Sequence, residues 1–131
     1  MKGQTALEYL IVASFVIAAI IPVFFYSLVY SSDSIRLSQA QDAVNSISKV
    51  ADFVYSFGEG SSYTVLVTLP ENIENSTVSK NVLSLKLKTS SGLSDVIAIT
   101  KASLNGTLPK TSGVYKILLN MTGASVTIKQ V

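Results

Sequence analysis

The fold is decided by one uncharged stretch of 22 residues, Tyr9-Leu-Ile-Val-Ala-Ser-Phe-Val-Ile-Ala-Ala-Ile-Ile-Pro-Val-Phe-Phe-Tyr-Ser-Leu-Val-Tyr30. As an α-helix rising about 1.5 Å per residue, it would cross a hydrocarbon core about 30 Å thick. A cleaved secretory signal has a shorter apolar region of roughly 7–15 residues and ends in a small-residue cleavage site. The length of the stretch therefore favours a membrane-spanning helix.

The rest of the chain has the composition of an ordinary soluble domain. The 131 residues are 48% hydrophobic and 14% charged, and only two charged residues, Lys2 and Glu8, precede Tyr30. A net charge of +2 is too small for nucleic-acid binding by charge alone, so no nucleic-acid partner is predicted. The apolar character is concentrated in one block, and roughly a hundred residues remain for a folded domain.

The composition excludes most catalytic designs. The chain has no His and no Cys, so it lacks an imidazole base, a thiolate nucleophile, a disulfide and the usual zinc ligands. Its acidic residues form no paired motif of the DxD or ExxE type. We predict no metal site, no cofactor and no enzymatic activity. The acidic residues are Glu8, Asp33, Asp42, Asp52, Glu59, Glu71, Glu74 and Asp95.

Two residues of the apolar region are unusual for a simple membrane anchor. Glu8 lies at its edge, where a carboxylate is costly unless it is paired or stays at the interface. Pro22 lies in the middle, where it removes one helical hydrogen bond and is expected to kink or locally open the helix. Both residues also fit a plain anchor in which Glu8 lies among the headgroups and Pro22 is tolerated.

The first eleven residues, Met1-Lys-Gly-Gln-Thr-Ala-Leu-Glu-Tyr-Leu-Ile11, resemble the class III signal peptide of archaeal type IV pilin-like proteins. In that family a short basic leader ends in Gly, and Gln, a Glu four residues later and an apolar helix follow. The resemblance implies that a membrane prepilin peptidase cleaves between Gly3 and Gln4. Gln4 would then be the mature N-terminus and Glu8 its fifth residue.

The resemblance also implies a mode of assembly. The apolar helix would anchor the precursor in the membrane and later pack against copies of itself in a helical homopolymer, with the help of pilus assembly machinery. The carboxylate of Glu8 would pair with the new amino group of Gln4 on a neighbouring subunit. Glu8, Tyr9 and Pro22 are therefore the expected assembly residues.

A single charge predicts the orientation in the membrane. Lys2 is the only basic residue before the apolar stretch, so the positive-inside rule places the N-terminus in the cytoplasm and everything after Tyr30 outside. We therefore expect a precursor in the cytoplasmic membrane and a mature protein in an extracellular filament at the cell surface.

The helical pattern continues beyond the apolar stretch in amphipathic form. Apolar residues recur at spacings of three and four, which predicts one helix face covering a domain core. Gly58 and Gly60 supply a helix stop. The expected organisation is a leader at 1–3, a long helix at 4–57 with an apolar part (4–30) and an amphipathic part (31–57), and a β domain at 58–131. The apolar face consists of Leu37, Ala40, Val44, Ile47, Ala51 and Val54.

From Ser61 onward the hydrophobic period changes to two, which predicts four or five strands. Short, turn-rich connections favour antiparallel pairing. The predicted fold class is α+β, with a long N-terminal helix packed on an antiparallel sheet, and this plan is similar to that of type IV pilins. The alternating segments are Tyr63–Leu69, Leu83–Leu87, Ile97–Ile99, Tyr115–Leu119 and Ala124–Ile128.

Three N-x-S/T sequons begin at Asn75, Asn105 and Asn120. All three lie in the part predicted to be outside the cell, and the first two coincide with predicted turns, where a glycan could be accommodated. They are the candidate glycosylation sites. Lys86 and Lys88 alternate with leucines, which indicates the solvated face of a strand and a protected sheet edge rather than an anion site.

Three classes of function remain. The first is a structural subunit of an archaeal type IV pilus-like filament, with surface adhesion as its expected use. An archaellin-type motility filament ranks lower because of Glu8 and the short domain. The second is a bitopic membrane protein whose external β domain binds a ligand or partner, and it predicts monomers that keep Met1 or Lys2. An enzyme is a distant third.

Overall fold

The computed structural model describes residues 2–131. The chain forms one long helix followed by five strands. The elements are α1 (Lys2–Phe57), β1 (Ser62–Leu69), β2 (Ile73–Thr89), β3 (Gly92–Gly106), β4 (Gly113–Thr122) and β5 (Ser125–Gln130). The described residues form two compact units, one up to Asp33 and one from Ser34 to Val131.

Helix α1 includes Pro22 and ends at the predicted glycines. Gly58 adopts a positive φ of 88°, which glycine reaches without a Cβ penalty, and its amide donates to the carbonyl of Tyr55 at 3.2 Å. The hydroxyl of Ser61 lies 2.8 Å from the carbonyl of Val54. These contacts satisfy carbonyls that the last helical turn leaves without intrahelical partners.

The core of the second unit lies between the last third of α1 and one face of the sheet. The predicted apolar stripe of the helix is buried at Ala40, Val44, Ile47, Ala51 and Val54. It packs against alternate residues of all five strands. The predicted amphipathic helix and its packing role are therefore confirmed. The largest buried strand residues are Leu69, Leu83, Leu85, Leu87, Ile117, Leu119, Val126 and Ile128.

The five strands form one sheet in the order β1-β4-β5-β3-β2. Three of the pairings are antiparallel, as expected: β1 with β4, β4 with β5, and β2 with β3. The pairing of β3 with β5 is parallel and covers only Ser103–Gly106 of β3. The α+β class is confirmed and is consistent with a pilin-like plan, whereas the sheet is mixed rather than wholly antiparallel.

Strand β2 reverses direction within its own length. Extended, its 17 residues would span about 56 Å, yet the amide of Lys88 near its end donates to the carbonyl of Asn72, just before its start, at 2.9 Å. The reversal coincides with Lys80, which has a positive φ of 45°, and with a register shift against β3 between Lys80 and Val82.

Strand β3 pairs with β2 in two regions, one on each side of the reversal. Val82–Thr89 pairs with Gly92–Ile99, whereas Lys80 pairs with Leu104. Between these two regions the side chain of Asn81 lies 3.2 Å from the carbonyl of Thr100. Leu104 of β3 thus pairs with Lys80 on one edge and with Val126 of β5 on the other.

Candidate assembly segment and surface sites

The apolar part of α1 is exposed throughout. Its most apolar 18-residue window has a mean hydropathy of 2.4, and none of it is buried. By length and composition the helix is sufficient to cross a membrane. A soluble protein rarely exposes a continuous apolar surface of this size, so lipid or another protein must cover it. The exposed residues include Leu7, Tyr9, Leu10, Ile11, Phe15, Ile17, Ile20, Ile21, Phe24, Phe25, Tyr26 and Leu28.

The expected assembly residues Glu8, Tyr9 and Pro22 lie at different positions along this helix. Glu8 is exposed and forms no ion pair or side-chain hydrogen bond with another residue of the described range 2–131. Gln4 precedes it by four residues, which places both on the same helix face, one turn apart. Tyr9 is also exposed. The arrangement leaves the Glu8 carboxylate available to a cation from outside the chain.

Pro22 lies near the middle of the exposed segment. It has no N–H, so the helical hydrogen bond to the carbonyl of Ala18 is lost. Nearer the N-terminus of the same segment, the hydroxyl of Ser14 donates to the carbonyl of Leu10 at 2.8 Å. This bond satisfies the serine within its own helix, so the hydroxyl adds little polarity to the surface.

The predicted cleavage position lies at the start of α1. Gly3 and Gln4 are both helical and exposed, and a Cβ at Gly3 would meet no atom within 4 Å. Cleavage between Gly3 and Gln4 stays a prediction.

The three sequon asparagines are exposed, but none lies in a turn. Asn75 is in β2, Asn105 in β3 and Asn120 in β4. The predicted turns at Asn75 and Asn105 are shorter than the sequence indicated because β2 begins at Ile73 and β3 extends to Gly106. Asn75 lies within β2, whereas Asn105 and Gly106 are the last two residues of β3.

Two of the sequons share one patch on the outer face of the sheet. Asn105 and Asn120 both pair with Thr127, one from each side. Strands in a sheet are separated by about 4.8 Å, so the two asparagines lie about 10 Å apart. A glycan on either residue would cover the same part of this face.

The other sequence candidates lie on the surface of the sheet. Lys88 is exposed and Lys86 is partly exposed, and the ammonium of Lys86 lies 4.0 Å from the carboxylate of Asp95. Lys88 pairs with Leu93 of β3, and its amide also donates to the carbonyl of Asn72, so this part of β2 has a neighbour on both sides. The lysines lie on the solvated face of the strand, as predicted, but not on a free sheet edge. No cluster of three or more His, Cys, Asp or Glu side chains occurs among the described residues.

Two surface features were not predicted from the sequence. Phe53 and Phe57 of α1 form an edge-to-face pair with ring centroids 4.6 Å apart, and Tyr63 of β1 lies 6.0 Å from Phe53. The spacing of Phe53 and Phe57 could have indicated the pair, but the contact with Tyr63 depends on the fold. The second feature is a groove of about 320 Å³ between α1 and β1, lined by residues that include Asp42 and Thr68.

Comparison with known proteins gives no match. No family profile, no curated protein and no solved structure matches the chain.

Proposed function

We propose that this chain is a structural subunit of an extracellular filament of the archaeal type IV pilus kind, used for surface adhesion. The supporting observation is the exposed apolar segment of α1, which follows an N-terminal sequence resembling a class III signal peptide. Such a segment is stable in lipid before assembly and among copies of itself afterwards. The precursor would meet prepilin peptidase and the pilus assembly machinery at the cytoplasmic membrane.

In this proposal Glu8 sets the register between subunits. Its carboxylate has no ionic partner in its own chain among the described residues. After cleavage at Gly3 the amino group of Gln4 on a neighbouring subunit would neutralise it in an apolar surrounding, where an unpaired charge is costly. Pairing would therefore favour one axial displacement of neighbouring helices over others.

The test is filament formation by Glu8→Gln, which keeps the shape of the side chain but removes its charge. We expect normal amounts of protein in the membrane and at least a tenfold loss of filaments sheared from the cell surface. Glu59→Gln is the control because Glu59 is exposed and lies beyond the helix. Filament yields equal to wild type in Glu8→Gln would remove Glu8 from the mechanism.

A second candidate function is a membrane-anchored binding protein. The same helix supports it, since α1 is long and apolar enough to cross a membrane once. This alternative places the β unit outside the cell as a ligand-binding or partner-binding domain. It predicts that all of the protein stays in the membrane fraction and that no sheared filament contains it.

A further inference from the structure

Strand β1 is an open edge of the sheet. It lies at one end of the strand order and pairs only with β4 among the described strands. Its eight residues, Ser-Tyr-Thr-Val-Leu-Val-Thr-Leu, include no charge and no proline, and its register with β4 has no bulge. Lysines, prolines and bulges are the usual devices that prevent a sheet edge from pairing with another chain.

The opposite end of the strand order is irregular. Strand β2 reverses direction at Lys80, and its register with β3 shifts at that residue. Bulges and irregular strands disfavour pairing with another chain, so β1 is the more competent edge of the sheet.

The free backbone groups of β1 can be assigned. The amide of Met121 donates to the carbonyl of Ser61 at 2.9 Å, in the same register that continues along β1. Since hydrogen-bonding directions alternate along a strand, the odd-numbered residues face β4. Ser62, Thr64, Leu66 and Thr68 therefore direct their N–H and C=O groups away from it.

The two ends of β1 have different surroundings, a groove at one end and exposed aromatic side chains at the other. Near Thr68 lies the groove of about 320 Å³, whose helix side includes Gln39 and Ser46. Near the start of β1 the aromatic cluster of Phe53, Phe57 and Tyr63 protrudes, with each side chain at least half exposed. The aromatic cluster and the groove therefore lie near opposite ends of β1.

We propose that β1 pairs with β1 of a second copy of this chain, antiparallel and about a two-fold axis at Leu66. In an isologous contact the two ends exchange, so the aromatic cluster of each copy faces the groove of the other. Thr64 of each copy lies opposite Thr68 of the other, and the two Leu66 side chains meet on the outer face. Leu66 is 63% exposed in the single chain, and this contact would cover it.

The size of the contact determines where it forms. An eight-residue strand pairing is about 27 Å long, and with a width of about 10–15 Å it buries roughly 300–400 Å² per copy, below the roughly 800 Å² per partner of a stable interface. The helix runs antiparallel to β1, since Phe53 contacts Tyr63 whereas Gln39 lies near Thr68, so the two-fold sets the packed parts of α1 in the two copies in opposite directions. We therefore expect pairing between copies from facing membranes or antiparallel filaments, or in concentrated solution, and not between neighbours in one membrane. A two-fold contact closes a pair and does not extend a polar filament, so it is independent of assembly through α1.

Disulfide trapping in the full-length chain tests the pairing directly, because the chain has no native cysteine. At high protein concentration in detergent and under mild oxidation, Leu66→Cys should form a dimer in at least fivefold higher yield than Ser62→Cys or Ser103→Cys. Ser62 lies far from the proposed axis, and Ser103 is an exposed residue on β3, an interior strand. Equal yields for Leu66→Cys and Ser103→Cys, or cross-links only to a different protein, would overturn the proposal.

The register has its own test. A mixture of Thr64→Cys and Thr68→Cys chains should form more mixed dimer than either variant forms alone, because these residues lie opposite each other only in the antiparallel pairing. Adding Leu66→Lys to both chains places like charges opposite each other and should lower the yield at least fivefold. Leu93→Lys, the same change at a residue 56% exposed on β3, should leave it unchanged. Equal effects of the two lysine substitutions would contradict pairing through β1.

Discussion

The carboxylate of Asp52 on α1 accepts a hydrogen bond from the backbone amide of Lys101 on β3 at 2.8 Å. One turn earlier on the helix, the hydroxyl of Ser48 donates to the carbonyl of Ile99 at 3.2 Å. These residues lie just before β3 begins to pair with β5 at Ser103. Helix side chains therefore bind backbone groups of β3 where its register with β2 shifts and its pairing with β5 begins.

Removal of the Asp52 carboxylate should destabilise the second unit. We expect Asp52→Ala to lower the free energy of unfolding by about 1 kcal/mol relative to Asp42→Ala, because the Lys101 amide loses its partner. Asp42 lies on the same helix and makes no hydrogen bond or ion pair with another described residue, so the gain in helix propensity cancels between the two variants. Urea unfolding of the full chain in detergent, followed by circular dichroism, measures the difference. Identical midpoints would show that the bond contributes nothing.

Gly106 should tolerate no side chain. Its φ is 125°, and a Cβ at this position would overlap the carbonyl oxygen of Ile128 on β5. Gly92 has the same φ of 125° but open space around it, so Gly92→Ala measures the backbone strain alone. We expect Gly106→Ala to cost about 2–3 kcal/mol more than Gly92→Ala, since the parallel pair of β3 and β5 must separate. Similar thermal stabilities of the two variants would contradict this close approach.

The reversal of β2 should become more stable with glycine at its centre. Lys80 adopts a φ of 45°, which costs a residue with a Cβ roughly 1 kcal/mol and costs glycine almost nothing. We expect Lys80→Gly to raise the free energy of unfolding by about 0.5–1 kcal/mol. Lys88→Gly, in the paired part of β2, should lower it. A loss of stability in Lys80→Gly equal to that of Lys88→Gly would mean that β2 does not reverse at this residue.

The exposed sequons predict glycan attached to the mature protein. We expect Thr77→Ala, Thr107→Ala and Thr122→Ala each to remove one glycan mass, because each destroys one sequon without changing its asparagine. Mass spectrometry of protein from its native cells measures the loss. Ser103→Ala is the control, since Ser103 is exposed on the same strand as Asn105 but belongs to no sequon. If each variant loses only the mass of its amino-acid change, as the control does, glycosylation at these positions is excluded.

The sequence predicts the fold where the signal is local. The apolar stretch from Tyr9 to Tyr30, the stripe that includes Val44 and Ile47, and the helix stop at Gly58 follow from composition, period and glycine conformation, and the structure has all three. The alternating strands were also identifiable because each buries one face.

The remaining features depend on contacts between distant residues. The reversal at Lys80 occurs at a residue that gives no turn signal, and it coincides with a register shift against β3. The parallel pairing of β3 with β5 joins segments that are distant in the sequence. The open edge at β1 and the aromatic cluster at Tyr63 likewise depend on strand order. For the expected assembly residues the sequence motif supplies more than the fold, because Glu8 and Gln4 are exposed on the helix and the single chain does not show what they contact.

The most direct test of the filament proposal is the intact mass and N-terminal peptide of protein sheared from the surface of its native cells. We predict a mature chain that begins at Gln4, as the free amine or as pyroglutamate, with Glu8 as its fifth residue. A chain that begins at Met1 or Lys2 and is found only in membranes would contradict prepilin-type processing and would favour the membrane-anchored binding protein.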